Sequence, residues 1–140
     1  MTTITRGSCL CGNVSYEVVG DLRPICLCHC SQCRKASGHY TAATSAPISN
    51  ITIEGASLKW FDSSTYARRG FCDSCGSSLF YEPLGEKRLA IFCGSIDGDP
   101  GVSIDSQIFV EEKGDYYATP DVKVVNQSEL GWSVGSDDAG

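Results

Sequence analysis

The sequence predicts a single, mainly β domain built of short antiparallel strands with long loops between them. Three observations lead to this. Short apolar or alternating runs recur along the chain, separated by Gly, Pro, Asn and Asp. Helical periodicity is confined to one stretch, Ser31–Ser37. Nine cysteines stand among 140 residues, and eight of them fall into tight groups that loops must carry.

The strands follow in order. Val14, Tyr16 and Val18 alternate with polar or outward positions, the period of a half-buried strand that ends at Gly20-Asp21. Tyr40–Thr44, Ile51–Glu54, Leu58–Phe61, Ser78–Glu82, Arg88–Phe92 and Gln107–Val110 read as further short strands. Pro47, Asn50, Gly55, Pro83-Leu84-Gly85 and Asp97–Gly101 supply the turns. There is no internal repeat or low-complexity block. The length fits one domain with a core of its own, expected over residues 1–132. Residues 133–140, small and acidic, are expected to form a flexible tail.

Composition narrows the function classes. A chain 41% hydrophobic and 20% charged is ordinary for a globular protein and excludes wholesale disorder. Met1–Gly7 contains no apolar core of a signal peptide, and no run approaches the ~18 apolar residues that span a membrane. The expected compartment is therefore the cytoplasm, where thiols stay reduced and clustered cysteines bind metal more often than they pair. The formal charge is −6 and basic residues do not cluster beyond pairs, which argues against a nucleic-acid partner.

The cysteines carry the chemistry. Cys9-Leu10-Cys11-Gly12 and Cys72-Asp73-Ser74-Cys75-Gly76 are each closed by a glycine. Two thiolates in a tight turn can both reach one zinc at ~2.3 Å, and the glycine lets the chain curl so that backbone N–H groups face the sulfurs. Together Cys9, Cys11, Cys72 and Cys75 make a closed four-thiolate set, the donor set of a structural zinc. The middle group is Cys26-Leu27-Cys28-His29-Cys30-Ser31-Gln32-Cys33. On spacing alone it reads either as a second four-cysteine site or as a three-ligand set of Cys28, Cys30 and Cys33. Three protein ligands would leave zinc an open position. His29 should point away from its cysteine neighbours in an extended loop and stay outside the ligand set. Cys93, within an apolar run, reads as a core thiol.

The ordered elements Cys9–Gly12, Cys28–Gly38 (C-x-C-x-x-C-R-K-x-S-G) and Arg69–Gly76 (R-x-F-C-x-x-C-G) resemble the glutathione-dependent formaldehyde-activating enzyme family, whose broader relatives include centromere protein V. Gly94-Ser95-Ile96-Asp97 resembles a further family stretch, and the likeness runs from about Gly7 to Val110. The resemblance implies a β-tent-like fold with two zinc ions per chain. Cys9, Cys11, Cys72 and Cys75 would hold the structural ion, and Cys28, Cys30 and Cys33 the catalytic one. Relatives often carry histidine where this chain has Gln107, and the segment Gly114-Asp115-Tyr116-Tyr117-Ala118 also departs from theirs.

Three thiolates give such a centre a net negative charge, which suits a soft fourth ligand such as a substrate thiol better than hydroxide. The expected activity is that of a carbon–sulfur lyase, adding glutathione or a similar thiol to formaldehyde or another small electrophile, or releasing it. A non-catalytic zinc-binding interaction module of the same fold is the alternative. Seven thiolates and two zinc ions bring the overall charge to about −9, so an anionic thiol needs local basic help. Arg34, Lys35 and Arg69 are the candidates for that role, Arg69 first because it lies three residues before the second knuckle.

Overall fold

The structure is a computed structural model and describes residues 2–134. Eleven strands and one α-helix follow in the order β1 (Ile4–Ser8), β2 (Ser15–Val19), β3 (Ile25–Cys28), α1 (Ser31–Ser37), β4 (Thr41–Pro47), β5 (Ile51–Glu54), β6 (Leu58–Asp62), β7 (Ala67–Cys72), β8 (Ser78–Pro83), β9 (Arg88–Phe92), β10 (Ile104–Ile108) and β11 (Lys123–Val124). Strands β1-β2-β5 form a small sheet, and β11-β10-β3-β4-β9-β8-β7-β6 form a large one. All pairings are antiparallel except those of β10, which runs parallel to both β3 and β11. The protein is thus mainly β, as the punctuated short runs predict.

Side-chain alternation gives the large sheet two distinct faces. In β9, Leu89 and Ile91 point into the core, while Ala90 and Phe92 point to the opposite face. The core face meets Val14, Tyr16 and Val18 of β2, with Phe80 of β8 set edge-on to Tyr16 at 5.2 Å. Burying these side chains supplies the main driving force for folding, at roughly 1.5–3 kcal/mol each before entropy is counted. On the other face, cross-strand neighbours form a continuous row: Cys26 opposite Ala43, Ala43 opposite Phe92, and Cys28 opposite Thr41. Tyr81 stands opposite Ala90, and Arg69 opposite Tyr81. This second face carries the site.

Several boundaries differ from expectation, each for a local reason. β1 escapes the apolar pattern because it exposes Ile4 and turns Thr5 and Gly7 inward. β3 is masked by its cysteines, and its Ile25, Cys26 and Leu27 are all buried, so no alternation shows. β7 contains Arg68 and Arg69, yet Arg68 pairs with Glu82 at 2.6 Å across β8, which makes a charged strand tenable. β10 starts at Ile104 rather than Gln107, since its parallel register with β3 begins there. It ends at Ile108, because Phe109 adopts a left-handed φ of 56°. Helix α1 occupies the predicted Ser31–Ser37. Ser133 and Val134, the first residues of the expected tail, are tied to Glu86 and Arg88. Residues 135–140 of that tail lie outside the described residues. No helix among the described residues is long and apolar enough to cross a membrane.

Candidate metal centres

The two glycine-closed turns meet at one end of the sheets. Cys9 and Cys11 follow β1, and Cys72 and Cys75 lie at and just beyond the end of β7. Their four sulfurs lie within 4.8 Å of one another. Cys9 Sγ is 3.6 Å from Cys11 Sγ, which is 3.8 Å from Cys72 Sγ. A zinc tetrahedron with ~2.3 Å bonds has sulfur–sulfur edges of about 3.8 Å, so this set fits the ion. Gly12 and Gly76 adopt φ of 83° and 81°, the left-handed turn anticipated from the glycines. The turns aim backbone N–H groups at the sulfurs: Val14 N–H donates to Cys9 Sγ at 3.3 Å, and Ser74 N–H to Cys72 Sγ at 3.4 Å. The Ser77 hydroxyl, 3.2 Å from Cys75 Sγ, is the main influence drawing that thiol down to about 5. Donors of this kind steady thiolates without occupying a metal position.

Cys28, Cys30 and Cys33 form a separate group whose sulfurs also lie within 4.8 Å of one another. Cys28 ends β3, Cys30 is the N-cap of α1, and Cys33 sits in its first turn. The Cys30 sulfur accepts the Cys33 N–H at 3.4 Å, so capping the helix and assembling the group are one event. Crowding with Cys30 and Cys33 pushes the Cys28 thiol up. Hydrogen bonds from Cys28 and Cys30 draw Cys33 down to about 2, with a smaller contribution from Arg69. Arg69 Nη2 donates to Cys33 Sγ at 3.4 Å, and its guanidinium faces the rings of Tyr81 at 5.5 Å and Phe92 at 5.9 Å. A three-thiolate set of soft donors with one cationic neighbour suits zinc and leaves a fourth position free.

Cys26 belongs to neither group; it is buried and its Sγ contacts Leu27 O at 3.6 Å. Cys93 is half-buried, because β9 stops at Phe92 and Cys93 opens a 3₁₀ turn. Arg34 Nε donates to Glu112 O at 3.0 Å, and Lys35 is exposed; neither lines the cavity beside the three cysteines.

His29 is fully buried, with its orientation set by a hydrogen-bond network. The Gln107 amide nitrogen donates to Pro120 O and Val122 O at 2.9 and 3.0 Å, so the amide oxygen is the end that faces His29 Nε2 at 2.9 Å. Nε2 therefore carries the proton, and Nδ1 accepts from the Tyr117 hydroxyl at 2.9 Å. Both ring nitrogens are engaged, leaving none for a metal. Gln107 and Tyr117 thus buttress the Cys28–Cys30 loop through His29.

The three-cysteine group opens on a cavity of about 200 Å³ over the second face of the large sheet. Thr41, Ala43, Tyr81, Ala90 and Phe92 form its floor, and Arg23, Tyr66, Glu112, Gln127 and Trp132 its sides. Sequence reasoning missed Arg23, Tyr81 and Trp132. Strand alternation could have found Tyr81, whereas Arg23 and Trp132 carry no local signal.

A profile of the glutathione-dependent formaldehyde-activating enzyme family matches residues 4–112. An uncharacterized lyase of Schizosaccharomyces pombe is 26% identical over 113 residues, covering 80% of this chain and 82% of the relative. A crystal structure of a Rhodobacter sphaeroides protein superposes with a TM-score of 0.58 at 24% identity, covering 71% of this chain and 98% of that one. The last of these bears on the fold alone. The profile match runs through both cysteine groups and the strands that position them, and the chain belongs to the glutathione-dependent formaldehyde-activating enzyme family.

Proposed function

We propose that the protein is a zinc-dependent carbon–sulfur lyase that takes a thiol such as glutathione at the Cys28–Cys30–Cys33 centre. There it adds the thiol to formaldehyde or a similar small electrophile, or releases it from the adduct. The observation that carries this reading is the contrast between the two groups: four sulfurs closed on one another, and three that open on a cavity. Family membership and the lyase named among the relatives support it.

Zinc held by the three cysteines would supply an open position at which an incoming thiol loses its proton and remains nucleophilic. The protein's own groups do the rest. Arg69, hydrogen-bonded to Cys33, offsets the negative charge of three thiolates and so eases the approach of an anionic thiol. Tyr81, Phe92 and Trp132 wall the cavity with aromatic surface, which excludes water and restricts the angles of approach. Thiols add to formaldehyde readily without help, so orientation is the main contribution available to the protein.

The test is the exchange rate of formaldehyde with glutathione, with and without the zinc-loaded protein. Wild type should accelerate exchange and Cys30→Ser should not. Background rates for both would remove formaldehyde and glutathione as the reactants.

A further inference from the structure

Arg23 has no role in the centre described above, yet it lines the same cavity. Its Nε donates to Pro24 O at 3.3 Å and its Nη2 to Ala43 O at 3.1 Å, while Nη1 is buried without a partner. Three ion pairs form among the described residues, Arg6–Glu17, Lys59–Asp73 and Arg68–Glu82, and Arg23 is in none of them. Burial draws its pKa below the usual arginine range, and the charges of Cys26 and Asp105 offset this only in part. The indole of Trp132 covers the guanidinium at 5.4 Å, which keeps water from competing for it. A buried cation of this kind costs stability unless an anion joins it. Arg69 has its counterpart in the Cys33 sulfur at 3.4 Å. Arg23 has none.

Its position indicates which anion. Through Ala43 the guanidinium is held at the level of the Cys26–Ala43 pair, two residues along β3 from Cys28. Two residues of strand span about 7 Å. A molecule whose sulfur enters the three-cysteine centre would therefore bring a group a few bonds away toward Nη1. A cavity of about 200 Å³ is also small for a ligand site, since pockets for drug-sized ligands run to roughly 300–1,000 Å³. It can enclose a short mercapto acid, or one end of a tripeptide.

We infer that Arg23 is a specificity residue that receives the carboxylate of a thiol substrate, so that the site selects thiol acids over neutral thiols. The inference rests on the three-cysteine centre being the thiol site, and the test separates the two. Full-length protein is loaded with cobalt(II), whose absorption reports a sulfur entering its coordination, and titrated with 3-mercaptopropionate and with its methyl ester. Wild type should bind the acid about tenfold or more tighter than the ester. Arg23→Met should bring the two within about twofold by weakening the acid alone, and Arg23→Lys should restore part of the preference.

Equal binding of acid and ester by wild type, or a preference that survives in Arg23→Met, overturns the assignment while leaving the thiol site intact. If neither thiol perturbs cobalt, the thiol-site reading falls, and propionate decides for Arg23. A rise of the thermal transition with propionate in wild type but not in Arg23→Met keeps Arg23 as a carboxylate site, and no rise removes it. Should Arg23→Met fail to fold, the wild-type contrast between acid and ester, together with its size in Arg23→Lys, decides the assignment.

Discussion

Arg69 and Cys33 show how much a single contact can set. The guanidinium donates one hydrogen bond to sulfur and buries Nε and Nη1 against aromatic rings without a hydrogen-bond partner. Hydrogen bonds to charged groups contribute about 1.5–3 kcal/mol, so Arg69→Met should release zinc from the three-cysteine centre to a chelator roughly tenfold faster or more. An unchanged release rate would place Arg69 outside the support of that centre. Proton affinities add a pH dependence. With Cys33 held low, it is ionised across the working range and binds metal without losing a proton there. Cys28 is held high, so metal must displace its proton, and affinity rises with pH. Competition with a zinc chelator at pH 6 and pH 8 should show tighter binding at the higher pH, by about tenfold per unit for each proton displaced. A flat profile would contradict the sharing of protons among these sulfurs.

At the scale of elements, the cysteine turns were the legible part. A C-x-C-G or C-x-x-C-G segment dictates its own conformation, and the φ of Gly12 and Gly76 follows from it. Gly76→Ala has open space for a Cβ but must hold a left-handed φ, so it should cost about 1–2 kcal/mol. Calorimetry should then show a drop of several degrees in Tm. Cys72→Ser removes one of four ligands, and because zinc binding at such a site is folding free energy, the domain should lose its cooperative transition. A transition unmoved in Cys72→Ser would show that this group does not hold the fold. Strands β1, β3 and β7 were less legible, since each breaks the apolar alternation by which a strand is recognised. Gly7 and Thr5 face inward in β1, cysteines fill β3, and β7 places two arginines where partners exist only in the folded sheet.

At the scale of the whole molecule, the cavity depends on connections that no local pattern encodes. Strand β10 lies parallel to β3 across some 80 residues of intervening chain, and the turn Gln127–Leu130 with Trp132 closes the side of the cavity. Gln127 reaches Tyr81 OH at 3.2 Å, and the Trp132 indole N–H donates to Gln127 O at 3.2 Å. These wall residues lie beyond residue 112, where the family match ends. Trp132→Ala should therefore leave the metal content of the protein unchanged and weaken thiol binding several-fold, measured by the same cobalt absorption. Loss of metal in that variant would mean that the wall supports the centres rather than the ligand.

The sequence by itself determined the mainly β class, the helical turn at Ser31–Ser37 and the division of the cysteines into a closed-type four and a compact cluster. It could do so because strand period, turn chemistry and ligand spacing act over a few residues. The exclusion of Cys26 from the cluster, implied by the family resemblance, holds in the structure, and the tertiary structure alone decided that His29 is spent on Gln107 and Tyr117. It also decided that Arg23, Tyr81 and Trp132 share a cavity with the three cysteines. Those relations join residues far apart in the chain, and they exist only once non-local strand pairing has brought one face of the large sheet together.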